Sequence, residues 1–210
     1  MLKDNMEYGT IAESYARDPK HAGFNAARYK FVSKMLTGER SVLEVGCGDC
    51  TFAPIVQQTV NRLVGIDLDI SAAKASPYKP MKVYQHDMLL CPFGADWDAA
   101  FSLDVLEHIP VEKEDQFLHN IVRSLTSYGV FICGSPSLES QPYGSPHSLA
   151  QHVNCKTEKE WRETLQRHFR QVFVFGMNDE TLHTGFGPMC HYRFAICTPP
   201  YIAINYRPGL

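Results

Sequence analysis

The chain has no excess of positive charge. Lys and Arg number 20 against 23 Asp and Glu, a net charge of −3. Nothing in this balance favours a polyanionic partner, which is normally met by a basic face. The stretch 161–170 does hold Arg162, Arg167 and Arg170, which we read as a solvated helix face rather than an RNA-binding strip. Long apolar runs are also missing, and none reaches the length that spans a bilayer. The opening residues lack the basic-then-apolar order of an export signal. Cysteine is present at 7 positions but without a regular framework, so reduced thiols in the cytoplasm are expected. Repeats, low-complexity tracts and linkers are absent as well. At 210 residues, 44% of them hydrophobic and 20% charged, the chain is expected to form one globular domain.

Hydrophobic periodicity alternates between the strand and helix periods. Strands are predicted over 41–45, 61–67, 81–86, 97–103, 128–134, 171–175 and 189–197. Helices are predicted over 24–36, 51–60, 71–76, 112–125 and 157–168. In the first helix Phe24, Ala27, Phe31, Met35 and Leu36 are expected to share a face. Pro54 is tolerable because it falls in the first turn of its helix. Such alternation implies a mostly parallel sheet with helices on both faces. The last two strands have no helix between them and are expected to pair antiparallel at an edge. Long loops over 135–156 and 176–188 leave the carboxyl ends of strands, where ligands bind in open α/β sheets.

The most informative stretch is Glu44-Val45-Gly46-Cys47-Gly48. Two glycines there allow a tight turn and a close approach of backbone to ligand. A dinucleotide fingerprint would place Gly or Ala where this chain has Thr51. Glu44 would repel a diphosphate and attract an amino or sulfonium group, so a zwitterionic nucleoside fits better than NAD. Asp67 closes the second strand, where a carboxylate can accept from both ribose hydroxyls. Asp87 closes the third and could accept from an adenine amino group.

These segments resemble the class I S-adenosylmethionine-dependent methyltransferases. The resemblance lies in Val42-Leu43-Glu44-Val45-Gly46-Cys47-Gly48, Gly65-Ile66-Asp67-Leu68-Asp69, His86-Asp87-Met88 and the segment from Phe101 to Ile109, Phe-Ser-Leu-Asp-Val-Leu-Glu-His-Ile. The branch of ubiquinone-pathway and sugar or natural-product O-methyltransferases is nearest. The resemblance implies a Rossmann-like, seven-stranded, mostly parallel sheet with an antiparallel edge strand. It implies one domain over 1–210: a helical cap over 1–40, a cofactor core over 41–135, and acceptor loops with the last strands over 136–210. It implies S-adenosylmethionine as cofactor, with Glu44, Gly46, Cys47 and Gly48 at its methionine end. Asp67 and Leu68 are implied at the ribose, Asp87 and Met88 at the adenine, and Leu103 and Asp104 beside the methyl. Cys50 departs from the family, which usually has a third glycine there.

For chemistry, the Asn/Asp-Pro-Pro-Tyr sequence of base-methylating members is absent after the fourth strand, where Ser102-Leu103-Asp104-Val105 stands. We therefore expect O-methylation of a small polar acceptor, with no nucleic-acid or membrane partner. Asp104, Glu107 and His108 are expected on one face of a following helix. They could buttress the fold, supply His108 as a base, or hold a divalent metal, an element that resembles the metal site of some ubiquinone-pathway and RNA-end methyltransferases. His152 is the first choice of general base, ahead of His147 and His183, with His191 and Cys155 nearby. The spacing of His147, His152 and Cys155 matches no standard zinc site, and no metal ligand is assigned. A cofactor-binding regulator without turnover is the rival reading.

Overall fold

The computed structural model describes residues 18–76 and 81–201. The first helix, α1 (Pro19–Met35), starts earlier than its apolar pattern suggests because Asp18 caps it and Pro19 opens it. Its fully buried positions are Ala22, Asn25, Tyr29, Val32 and Ser33; of the expected face, Leu36 is buried and Ala27 and Phe31 pack partly buried against the same core, while Met35 is exposed. The polar members of this face have partners inside: Asn25 accepts from Arg28 at 3.0 Å, and Ser33 meets Thr59 at 3.1 Å. Periodicity weighed only apolar residues and so missed that stripe.

After α1 the chain alternates as β1 (Val42–Val45), α2 (Ala53–Gln57), β2 (Leu63–Asp67), α3 (Ser71–Ala75), β3 (Lys82–Gln85) and β4 (Trp97–Leu103). Then follow α4 (Val111–Ser124), β5 (Leu125–Pro136), α5 (Pro146–Gln151), α6 (Glu158–Gln166), β6 (Phe169–Asn178), β7 (Thr181–His183) and β8 (Tyr192–Pro200). The sheet has eight strands in the order β3-β2-β1-β4-β5-β8-β6-β7. The eighth is β7, a three-residue strand inside what reads as a loop, too short to show an alternation. β1 pairs parallel with β2 and β4, and β5 parallel with β4. β8 runs antiparallel between β5 and β6, so the last two long strands pair as expected.

Apolar side chains fill both faces. On one, Leu43, Ile66, Phe117, Ile121, Phe131 and Trp161 pack under α4 and α6. On the other, Tyr29, Val32, Val56, Phe101, Ile132 and Phe194 pack under α1 and α2. No described helix is long and apolar enough to cross a membrane.

The segment after β4 is not a helix from Asp104 onward. Asp104 has φ +56, Leu106–His108 is a single 3-10 turn, and α4 waits until Pro110 has passed. A proline disfavours the helical region for the residue before it, and Ile109 is accordingly extended. The three acidic and imidazole side chains therefore do not share an α-helical face.

The first long loop contains a 3-10 turn, Leu138–Tyr143, and α5, and buried charge ties it down. Glu114 of α4 meets Lys156 Nζ at 2.8 Å, Arg167 at 2.9 Å and the Asn154 amide at 3.0 Å. From β8, the buried Arg193 donates to the Lys156 and Gly187 carbonyls and pairs with Glu139, joining both loops. Burial pushes the Glu114 carboxyl up, but Lys156, Asn154 and Arg167 outweigh it and hold it below its usual value. A carboxyl depressed in the folded state contributes stability above its unfolded pKa, and loses it as pH falls through the folded one. Urea denaturation should therefore show wild-type stability falling below about pH 4.3, with a shallower acid slope in Glu114→Gln. Equal slopes would remove Glu114 from that linkage.

Candidate active site

The turn after β1 is built by hydrogen bonds to the end of β2. Gly46 and Cys47 donate to the Ile66 carbonyl at 2.8 and 3.1 Å, and Gly48 donates to Asp67 Oδ2 at 2.8 Å. Gly46 and Gly48 take φ of +81 and +51, a region that favours glycine. Cys50, at φ +60, adopts the same region without that freedom, and its side chain is buried beside Cys47 in the α1–α2 core. A Cβ on Gly48 would meet nothing within 4 Å, so space lies open over this peptide. Glu44 is buried; Tyr29 donates to its Oε1 at 2.7 Å, while Oε2 has no partner. Burial pushes the Glu44 carboxyl well up despite that bond. Such a group is suited to a cationic amine that would restore its charge. An open backbone cradle over a buried carboxyl with one oxygen unpartnered fits an amino-acid-bearing nucleoside such as S-adenosylmethionine.

Along the same edge, Asp67 also accepts from Asp69 N at 3.2 Å, while Leu68 is exposed. Asp87 accepts from Leu89 N at 2.8 Å. The buried Met88 is fixed through its carbonyl by Asn120 of α4 at 2.7 Å. Leu103, buried, ends β4. The edge thus brings together Glu44, Gly46, Gly48, Asp67, Asp87 and Leu103.

Asp104 lies next to it but is engaged elsewhere. Arg28 of α1 grips its carboxylate at 2.9 and 3.1 Å and stacks 3.8 Å over the Tyr192 ring. Glu107 and His108 instead gather with His152, their ligand atoms all within 4.8 Å of one another. The loop brings His152 there because Val153 and Asn154 donate to the Glu107 carbonyl at 2.8 and 3.0 Å. The His108 and His152 rings meet edge-on at 5.2 Å. Glu107 is buried, and no close hydrogen bond reaches its carboxylate oxygens, although the Ser135 hydroxyl and the Arg28 guanidinium are near enough to pull its pKa down. Burial, then the charge of Asp104, pushes its carboxyl well up. Burial, then neighbouring His108, pushes the His152 imidazolium down, so this ring is neutral at physiological pH.

The other candidates stand apart. Gly185 N donates to His183 Nδ1, and His183 Nε2 bonds Asn178, so both of its nitrogens are engaged. His191 is exposed, 4.0 Å from Asp179. Cys155 is pushed up to about 12 by burial, far from a thiolate at neutral pH. The side chain of His147 lies outside the described residues. Arg162 and Arg167 are spent on Glu158, Glu114 and Asp115, and Arg170 reaches the Tyr201 ring at 5.9 Å.

Residues 43–133 match the family model of the methyltransferase domain. This chain carries an S-adenosylmethionine-dependent methyltransferase domain. No curated protein matches the sequence directly. Solved structures share the methyltransferase's fold at low identity. A possible histamine N-methyltransferase from Thermotoga maritima superposes with TM-score 0.69 at 15% identity, covering 89% of this chain and 95% of its own. The methyltransferase domain of a bacterial Hen1 gives 0.66 at 15%, covering 83% and 98%. The N-methyltransferase NodS from Bradyrhizobium japonicum, solved with S-adenosylhomocysteine, gives 0.58 at 14%, covering 85% of each chain.

The family match ends at Cys133, before the loop that supplies His152. Sequence reading also passed over Arg28, Tyr29 and Gln141, whose roles depend on contacts between distant segments and leave no local motif. If the methyltransferase holds its cofactor on the glycine turn and Asp67, Asp67→Ala should weaken S-adenosylhomocysteine binding by about 1–3 kcal/mol, the usual penalty for an orphaned polar contact. Gly46→Ala should lose binding further, because its Cβ would lie 2.3 Å from Val105 Cγ2 at φ +81. Calorimetry with unchanged affinity in a folded Asp67→Ala protein would remove Asp67 from the site.

Proposed function

We propose that the methyltransferase transfers a methyl group to a hydroxyl oxygen of a small polar acceptor of the sugar or natural-product kind. One observation carries this reading: the Glu107 carboxyl, three residues past Asp104 at the end of β4, gathers with the imidazoles of His108 and His152. A hydroxyl is a weak nucleophile until its proton is drawn away, so it needs basic groups where it reacts. A neutral amine acceptor needs none.

S-adenosylmethionine supplies the methyl on a sulfonium. Glu44 takes its amino group, the backbone of Gly46, Cys47 and Gly48 lies along the methionine end, and Asp67 with Leu68 holds the ribose. Asp87 and Met88 flank the adenine, and Leu103 and Asp104 border the methyl. Arg28 closes on Asp104 and fixes its carboxylate in place. Neutral His152 accepts the hydroxyl proton, with His108 beside it.

A second reading is favoured by the composition of that cluster. One carboxylate and two imidazoles suit a divalent cation. Held by Glu107, His108 and His152, such an ion supplies Lewis acidity that lowers the pKa of a bound hydroxyl. In this arrangement Asp104 belongs to Arg28 rather than to the ion. The net charge of −3 and the engaged arginines support a small acceptor over a nucleic acid.

A panel of sugars, polyols, phenols and amines, read as S-adenosylhomocysteine release, tests the proposal. Turnover on a hydroxylated acceptor is expected, and methylation of amines alone would overturn it. His152→Ala should lower turnover about 10²–10⁴-fold while cofactor affinity holds. Loss of activity on chelation and recovery with Mg²⁺ or Mn²⁺ would select the cation. Full activity after chelation would select His152 as an unaided base.

A further inference from the structure

We infer that Gln141 is a positioning residue that holds His152 as the Nδ1–H tautomer, leaving Nε2 as the nitrogen with a free lone pair. The inference deepens the reading that His152 belongs to the reacting centre. Its physical content is a chain of hydrogen bonds with one consistent direction.

The chain begins at Ser137, which is fully buried. Its N–H donates to the His191 carbonyl at 3.0 Å, and its hydroxyl donates to the Cys190 carbonyl at 2.6 Å. The Ser137 carbonyl, fixed by these bonds, accepts from Gln141 Nε2 at 3.1 Å. That contact sets which way the amide faces. Turned over, it would set its oxygen against a carbonyl oxygen, two acceptors with no hydrogen between them. Gln141 Oε1 therefore faces His152 Nδ1, 3.0 Å away. An amide oxygen only accepts, so Nδ1 must carry the hydrogen.

His108 is set in the same way by a different group. Its Nδ1 lies 3.1 Å from the Gln151 carbonyl, again an acceptor only. Both rings therefore keep Nε2 free of a hydrogen, and both belong to the cluster that includes the Glu107 carboxyl. Imidazole free in water prefers the opposite tautomer, with the hydrogen on Nε2. A ring in that form presents an N–H to the acceptor, and can neither take a proton nor bind a cation through that nitrogen. Partners that fix a ring's tautomer typically matter about 10–100-fold in activity or metal affinity.

Long-range ¹H–¹⁵N NMR of the full chain labelled at histidine, at mildly alkaline pH, reads the tautomer directly. His152→Ala identifies the resonances. Wild-type His152 should carry its hydrogen on Nδ1. Gln141→Leu should move it to Nε2 and lower turnover about 10–100-fold, with S-adenosylhomocysteine affinity unchanged. Gln141→Glu, whose carboxylate also only accepts, should keep the wild-type tautomer and recover turnover. An Nε2–H form in the wild type, or an unchanged tautomer in Gln141→Leu, would overturn the inference. A tautomer that follows Gln141 while turnover stays constant would uphold the assignment and instead remove His152 from the reaction.

Discussion

Parallel pairing of β1 with β2 and β4 is the constraint on which the site depends. Because these strands run the same way in near-matched register, their carboxyl ends stop along one edge. Val45 aligns with Ile66, and Glu44 with Phe101. Whatever the turns after those strands carry is thereby delivered to one line: the glycine turn, Asp67 and the Leu103–Asp104 end. Parallel strands need crossovers, and the one from β4 to β5 places α4 behind the edge, while α1 arrives from ahead of β1. Met88 is held from α4, and Tyr29 reaches Glu44 from α1.

The second theme is buried carboxyl groups that no Lys or Arg grips. Glu44 and Glu107 are both buried, and each has at least one carboxylate oxygen without a partner. Burying a carboxylate so is unfavourable unless something compensates it. Elsewhere the molecule does compensate: Glu114 has Lys156 and Arg167, and Asp104 has Arg28. The contrast separates structural charge from carboxyl groups left open to a ligand. In the proposed reading Glu44 takes the cofactor's amino group, and Glu107 a proton or a cation. Buried titratable groups left in this state mark functional places more often than structural ones.

Much of this was legible in the sequence because its signals are local. A strand, two glycines and a strand-end carboxylate lie within a short span, and their spacing alone puts Gly46, Gly48 and Asp67 on one edge. The antiparallel finish was legible from the missing helix between the last two long strands. What failed to show is what depends on distance. The buried stripe of α1 includes Asn25 and Ser33, which look like surface residues until Arg28 and Thr59 are placed. Asp104, Glu107 and His108 seem to share a helix until Pro110 delays it and Asp104 adopts positive φ. His152 stood out as a polar loop histidine, but only the return of Val153 and Asn154 to the Glu107 carbonyl brings it to His108. Short β7 had too few residues to show a period.

The central claim is that one strand edge holds the cofactor beside a centre of Glu107, His108 and His152. A crystal structure with S-adenosylhomocysteine and Mn²⁺, read by anomalous scattering at the manganese edge, tests it most directly. The account predicts the nucleoside along Glu44, Gly48 and Asp67, its sulfur toward Leu103. In the cation-assisted form it also predicts a manganese peak among Glu107, His108 and His152; in the unaided form that position stays metal-free, with His152 Nε2 turned toward the sulfur. A nucleoside bound away from this edge, or a sulfur from which the His152 side is walled off, would contradict it.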